Sequence, residues 1–139
     1  MIRVVVDPGV FISALIGPAE SPPACVVDAW IDDRIEVLVS PELLAELRRV
    51  ALRPKFRRWF DEARARELVG RIERHATVCV EPPSAAGATR DPADDYLVAL
   101  ARGEAAAMIV SGDRDLLEAD LGDVHVLRPA ELLERLADD

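Results

Sequence analysis

The sequence predicts an α/β domain built on a central parallel sheet of about five strands. Three observations carry that expectation. Short apolar runs rich in β-branched residues alternate along the chain with longer helix-like stretches. Ile2 to Val6 is a short, largely apolar run rich in β-branched residues, as a buried strand covered on both faces is. Finally, 139 residues that are 50% hydrophobic suffice for one core and divide poorly into two, so residues 1–139 read as a single domain.

Ile2 to Val6 reads as a buried strand, broken by Pro8-Gly9 into a functional turn. Pro22-Pro23 can open a helix through Ala24 to Asp32, since proline is tolerated in a first turn. Glu36 to Val39 forms a second strand. Ser40-Pro41-Glu42 then supplies an N-cap, a first-turn proline and an acid near the positive helix end. That helix runs to about Leu52, Pro54 stops it, and another follows from Asp61 to His75. Thr77 to Val80 is a third strand, and EPPSAAGATRDP is a turn-rich loop before a largely apolar helix from Ala93 to Arg102. Met108–Val110 and Val124–Leu127 complete the strands, with a helix from Arg114 to Ala119 between them and a terminal helix from Pro129 through Leu136. This alternation of strands and helices puts helices on both faces of the sheet.

The chain contains no run of about 18 apolar residues, and its N-terminus enters a strand directly, so a soluble, non-exported cytoplasmic protein is expected. Cys25 and Cys79 lack metal-ligand or disulfide-framework spacing and read as reduced, buried thiols. His75 and His125 have no companions at ligand spacing, which disfavours zinc and histidine-based nucleophilic catalysis. The net charge is −9 but unevenly spread. Arg48 to Arg74 contains ten Lys or Arg against four Asp or Glu, net +6, leaving −15 for the rest. This basic island, above all Arg48, Arg49, Arg53, Lys55, Arg57 and Arg58, is a candidate for phosphate binding, although such runs also serve as solvated helix faces.

Four acids stand out by placement. Asp7 and Asp113 follow apolar strands, directly or within two residues, at the carboxyl edge where an open α/β sheet carries its ligand site. Helix capping alone is a competing role for Asp113. In the 41–52 helix, Leu43, Leu44, Leu47, Val50 and Ala51 form one apolar arc. Glu46 lies about 40° outside the edge of that arc, nearer than Glu42. Asp94 begins the next acid-bearing helix, where spacing alone cannot separate it from Asp91 and Asp95. Converging carboxylates repel by roughly 4 kcal/mol per pair at about 4 Å in an effective dielectric of about 20. A hard cation such as Mg²⁺ or Mn²⁺ would relieve this and polarise a phosphodiester.

The motifs VVVDPGVFISALI, VSPELLAELRRVALRPKF, RDPADDYLVALA and MIVSGDRDLL, in that order and spanning nearly the whole chain, resemble those of PIN-domain nucleases, specifically VapC-like toxins. The resemblance implies a three-layer α/β/α fold and an acidic pocket for Mg²⁺ or Mn²⁺ formed by Asp7, Glu46, Asp94 and Asp113, with Asp115 auxiliary and Ser111 supporting. Asp94 is chosen over Asp95 because the family acid lies seven residues before the small residue matched by Ala101. It further implies endoribonuclease activity on RNA, a cognate antitoxin docking near the acidic groove, and frequent homodimers. One departure is Gly9, where the family commonly has Asn. Gly9 also counts against a haloacid-dehalogenase-type phosphatase, which needs a second Asp there. A catalytically silent module that binds RNA or a protein is the remaining alternative.

Overall fold

The computed structural model describes residues 1–83, 87–89, 91–106 and 108–138. Parts of the expected turn-rich loop, at 84–86 and 90, lie outside the described residues. Five strands, β1 (Ile2–Val6), β2 (Ile35–Val39), β3 (Thr77–Val78), β4 (Met108–Val110) and β5 (His125–Leu127), form one sheet in the order β3-β2-β1-β4-β5. Every pairing is parallel. Val4, Val5 and Val6 are all buried although successive side chains point to opposite faces, so both faces of β1 are covered. The expected parallel, doubly covered sheet is observed as a three-layer α/β/α arrangement.

Among the described residues, seven α-helices supply the cover: α1 (Pro8–Ile16), α2 (Pro22–Ile31), α3 (Pro41–Ala51), α4 (Glu62–His75), α5 (Asp95–Gly103), α6 (Arg114–Leu117) and α7 (Pro129–Ala137). Helix α2 packs against α1, α7 and β2, whereas α5 lies on β1 and β4 and touches α3, which pairs with α4. The core runs through the sheet, with Leu38, Leu43, Leu47, Leu97, Leu100 and Ile109 fully buried. No helix among the described residues is long and apolar enough to cross a membrane.

The turn expected at Pro8-Gly9 is instead the first turn of α1. Proline costs nothing at this position because its missing N–H would be unpaired anyway, and the Asp7 carboxylate caps the chain by accepting from the Gly9 N–H. Two residues that normally break structure therefore start a helix, which goes on to bury Val10, Phe11 and Ile12. Strand β3 ends at Val78 rather than Val80, and α6 ends at Leu117 rather than Ala119. The helix expected from Ala93 begins as a 3₁₀ turn, Pro92–Asp94, with Asp91 as its cap, and becomes α-helical at Asp95.

Helix α3 starts as its sequence predicts. The buried Ser40 hydroxyl accepts from the Leu43 N–H at 3.2 Å, and Leu43, Leu44, Leu47 and Ala51 face the core. Ser40→Ala leaves that N–H unpaired in the interior. We predict a loss of about 1 kcal/mol, within the range of about 0.5–2 for such caps, measured by denaturant unfolding. An unchanged midpoint would mean that the hydroxyl does not cap α3.

Candidate functional site

Strands β1 and β4 are neighbours, and their carboxyl ends meet at the point where the chain has moved to either side of β1. Asp7 and Asp113 leave the sheet there, tied by a backbone bond from the Asp7 N–H to the Val110 carbonyl at 2.9 Å. Such a switch point opens a crevice. Here it is a cleft of about 780 Å³ whose lining includes Asp7, Glu46, Asp94 and Asp113. The four acids selected from the sequence thus share one cavity, delivered by β1, α3, the Pro92–Asp94 turn and β4.

Each acid is held differently. Asp7 Oδ1 accepts from the Gly9 N–H at 3.1 Å and Oδ2 from the Ser111 hydroxyl at 2.7 Å. Ser111 is fully buried, and its Oγ also accepts from the Asp113 N–H at 3.0 Å, so one hydroxyl positions both strand-end acids. Asp113 Oδ1 accepts from the Asp115 N–H at 2.8 Å, so the capping role considered for Asp113 is real and coexists with its place in the cleft. Asp115 is not among the residues lining the cleft, but its charge acts on Asp94. Glu46 is engaged by Arg49, whose Nε donates to Oε2 at 3.0 Å and whose terminal nitrogen meets Oε1.

Electrostatics separate Asp94 from Asp95, a choice that spacing left open. Burial, then the charges of Asp113 and Asp7, raise the Asp94 carboxyl to about 7. Its Oδ2 is buried without a hydrogen-bond partner. Asp95 faces away from this chemistry and ties down the preceding loop. It accepts from the Gly87 N–H and the Thr89 N–H, both at 2.9 Å, and from the Thr89 hydroxyl at 2.8 Å. Gly87 sits at φ +80°, where a side chain would be strained. Burial would raise Asp95, but the Thr89 and Gly87 donors outweigh it and hold the carboxyl below its ordinary value. For Asp7 the balance is reversed: burial first, aided by Asp113 and Glu46, raises it despite Ser111 and Gly9.

The donor set is oxygen-only, and an orphaned buried carboxylate oxygen lies beside other acids, an environment that suits a hard cation. It is not a ready-made cage: among the described residues no three acidic, histidine or cysteine side chains stand together at ion-binding distance. Glu46 contributes to this by leaning on Arg49. His75 and His125 stay out of the cleft. Gly9 does not answer a packing demand, because an added Cβ would meet Asp7 Oδ1 at 3.7 Å, an ordinary contact.

Within the basic island, Arg49 and Arg53 line the cleft, whereas Arg48, Lys55 and Arg58 are exposed outside it. Arg57, also expected to contact substrate, is placed differently from these. Its guanidinium turns inward to donate to the Ala51 and Arg53 carbonyls and stands 5.3 Å from the Phe60 ring centroid. Arg128 and Tyr96 are cleft residues with polar groups that the sequence did not single out. Arg128 precedes α7 and approaches the cleft from β5, and Tyr96 follows the acid pair on α5. Burial, then Asp7, Glu46 and Asp94, push the Tyr96 phenol far above its usual value, so it stays a neutral hydrogen-bond donor.

Fold and site together define an α/β protein with a carboxylate cleft at the sheet's switch point, open to a cation and rimmed by arginines. The chain belongs to the PIN-domain family, whose model matches residues 3–115; PIN domains are generally nucleases. It is 32% identical over 117 residues to Uncharacterized protein MJ1680 of Methanocaldococcus jannaschii, covering 84% of this chain and 74% of that one. Among solved structures it is similar to PAE2754 from Pyrobaculum aerophilum, with a TM-score of 0.66 at 18% identity, covering 100% of this chain and 91% of that one. VapBC2 from Rickettsia felis, solved with a DNA fragment from its promoter, gives 0.62 at 10% identity, covering 91% and 98%. FitAcB from Neisseria gonorrhoeae gives 0.56 at 20% identity, covering 91% and 98%. At these identities the solved structures share the fold.

The opposite settings of Asp94 and Asp95 yield a prediction of opposite sign for adjacent residues. A carboxyl raised from 3.8 to about 7 by folding binds its proton more tightly in the folded state, so stability falls as pH rises between those values. Asp94→Asn should therefore melt above wild type at pH values above about 7, with the gain fading as pH falls toward 4. Asp95→Asn should melt below wild type at neutral pH, by roughly 1–3 kcal/mol for lost buried acceptors, with the deficit shrinking in acid. Calorimetry across pH checks both, and equal effects at the two positions would refute the assignment.

Proposed function

We propose that this chain is a divalent-metal-dependent endoribonuclease acting as the toxin of a toxin–antitoxin pair. The observation that supports it most strongly is the convergence of Asp7, Glu46, Asp94 and Asp113 on one cleft together with Arg49, Arg53 and Arg128. Mg²⁺ or Mn²⁺ held by Asp7, Asp94 and Asp113, with Glu46 and Asp115 at its margin, would polarise the scissile phosphodiester and acidify the attacking water. The remaining work falls to the chain's own groups. Ser111 fixes the orientation of Asp7 and the path of Asp113, as outer hydrogen bonds to metal ligands do. The cleft arginines offer forked donors to the phosphates either side of the reacting bond. Tyr96, whose phenol burial and then the nearby acids keep protonated, would donate without adding charge.

VapBC2, bound to a DNA fragment from its promoter, and FitAB, bound to the IR36 DNA fragment in a further similar structure (TM-score 0.56, 18% identity), are antitoxin–toxin complexes. By analogy the chain would be restrained by a cognate antitoxin, would form homodimers and would act in the cytoplasm. A silent module that only binds RNA or protein is the competing reading, kept by Gly9 in place of the family's common Asn.

The test is cleavage of labelled RNA by the purified protein with Mg²⁺ or Mn²⁺, with and without EDTA. Asp7→Asn, Asp94→Asn and Asp113→Asn are each expected to lower the rate by about 100-fold or more, equivalent to about 2.7 kcal/mol of lost transition-state stabilisation. Glu46→Gln is expected to cost less because Arg49 already draws that carboxylate aside. Cleavage that persists in EDTA would remove the metal from the mechanism. Binding of RNA without any cleavage would favour the silent module.

A further inference from the structure

The segment joining α3 to α4 displays an aromatic surface that the acidic cleft does not use. Its framework is fixed from within. Phe60 is buried, Phe56 stacks on it with ring centroids 5.9 Å apart and 13° between planes, and Arg57 is bonded to the Ala51 and Arg53 carbonyls. A turn closed by the Trp59 N–H on the Phe56 carbonyl, at 2.9 Å, then carries Trp59 outward, leaving it 50% exposed. Single exposed apolar residues are common and need no function. Trp59 differs in its company. The Arg58 guanidinium stands 4.8 Å from the indole centroid, Lys55 stands 5.2 Å from the Phe56 ring, and Arg53 at the head of the segment lines the catalytic cleft.

A half-exposed indole with a guanidinium over one face and its other face open for stacking, on a pre-ordered segment continuous with the acidic cleft, matches what unpaired nucleotides require. Every base has a π-face, so stacking tolerates sequence, while the cations meet the backbone. Duplex bases are already stacked and offer the ring nothing. We propose that Trp59 is a base-stacking platform for single-stranded RNA, with Lys55 and Arg58 holding the adjoining phosphates and Arg53 leading the strand to the cleft. The proposal takes its substrate class from the nuclease reading but does not depend on catalysis.

The experiment is a fluorescence-anisotropy titration of a labelled single-stranded RNA of roughly ten nucleotides, a length within known single-strand site sizes. The full chain, Trp59→Ala and Trp59→Phe are compared in EDTA so that no cleavage intervenes. Trp59→Ala is expected to raise Kd roughly 5- to 150-fold, the equivalent of one lost stacked base, with Trp59→Phe recovering most of it. Affinity for a duplex of the same sequence should not change. Lys55→Ala and Arg58→Ala should each flatten the salt dependence by about one unit. Equal Kd values for wild type and Trp59→Ala, or no single-strand binding by wild type, would overturn the platform. So would a shift of the protein alone from dimer to monomer in Trp59→Ala on sedimentation, which would make Trp59 a subunit contact. Trp59-dependent binding without metal-dependent cleavage would sink the nuclease reading and leave the platform standing, and cleavage with Trp59-independent binding would do the reverse.

Discussion

The parallel pairing of β1 with β4 joins two acids that the chain separates by about a hundred residues. Without it, Asp7 caps one helix and Asp113 another, and neither has any special chemistry. With it, the Asp7 N–H reaches the Val110 carbonyl, and Ser111, 104 positions from Asp7, bonds its carboxylate. A Ser at position 111 is fully buried only because both of its hydroxyl functions are used, donating to Asp7 and accepting from the Asp113 N–H. The helix that delivers Asp94 lies on these same two strands, and α3, which delivers Glu46, touches that helix. A slip of one residue in the β1–β4 register would turn Asp7 to the other face and dissolve the cleft.

Convergence of carboxylates opposes folding, and the structure lessens the cost in two ways. Neutral donors, Ser111 and the Gly9 N–H, hold Asp7 in place without cancelling its charge. Asp94, in contrast, gives up much of its charge near neutrality by keeping a proton. That proton sits on the group with an unpartnered buried oxygen, so a proton and any bound cation would compete for one place. An acidic pocket that had neutralised itself with arginines would fold more comfortably and bind cations poorly. Only Arg49 is turned onto a cleft acid, Glu46; Arg128, at the cleft wall, meets Glu131 at 3.6 Å, and Arg53 lines the cleft beside Arg49.

Strands and most helices were legible because their signals are local. β-branched runs marked β1, β2, β4 and β5, and Ser40-Pro41 marked α3 from cap to first turn. Helix α1 was not, because Pro8-Gly9 is a breaker in general and a helix start only once a preceding side chain caps it, which Asp7 does. The site was legible where an acid ends a strand or borders an apolar arc, as Asp7, Asp113 and Glu46 do. It was illegible among Asp91, Asp94 and Asp95, which share one local signature and take up a cap, a cleft acid and a loop anchor. Arg53 and Arg57 make the same point for the basic island. Four residues apart, one lines the cleft and the other is turned into the segment's interior by carbonyls that only the folded turn assembles. Arg128 and Tyr96 carry no pattern of their own and enter the cleft by tertiary packing alone.

The Glu46–Arg49 pair explains how a cleft can be built yet not closed. Adjacent on one turn of α3, the two residues satisfy each other without help from the rest of the protein. Such i,i+3 pairs with exposed, solvent-screened members contribute little, and the Arg49 side chain is 61% exposed. Any competing interaction worth more than that separates them. On the proposed nuclease reading, a cation among Asp7, Asp94 and Asp113 would attract Glu46 and a phosphate at the rim would attract Arg49, so the same event would free both partners for opposite tasks. On that reading the pair would hold the two side chains in waiting, and a more strongly bound or buried bridge at this position would deprive the cleft of both a ligand and a phosphate contact.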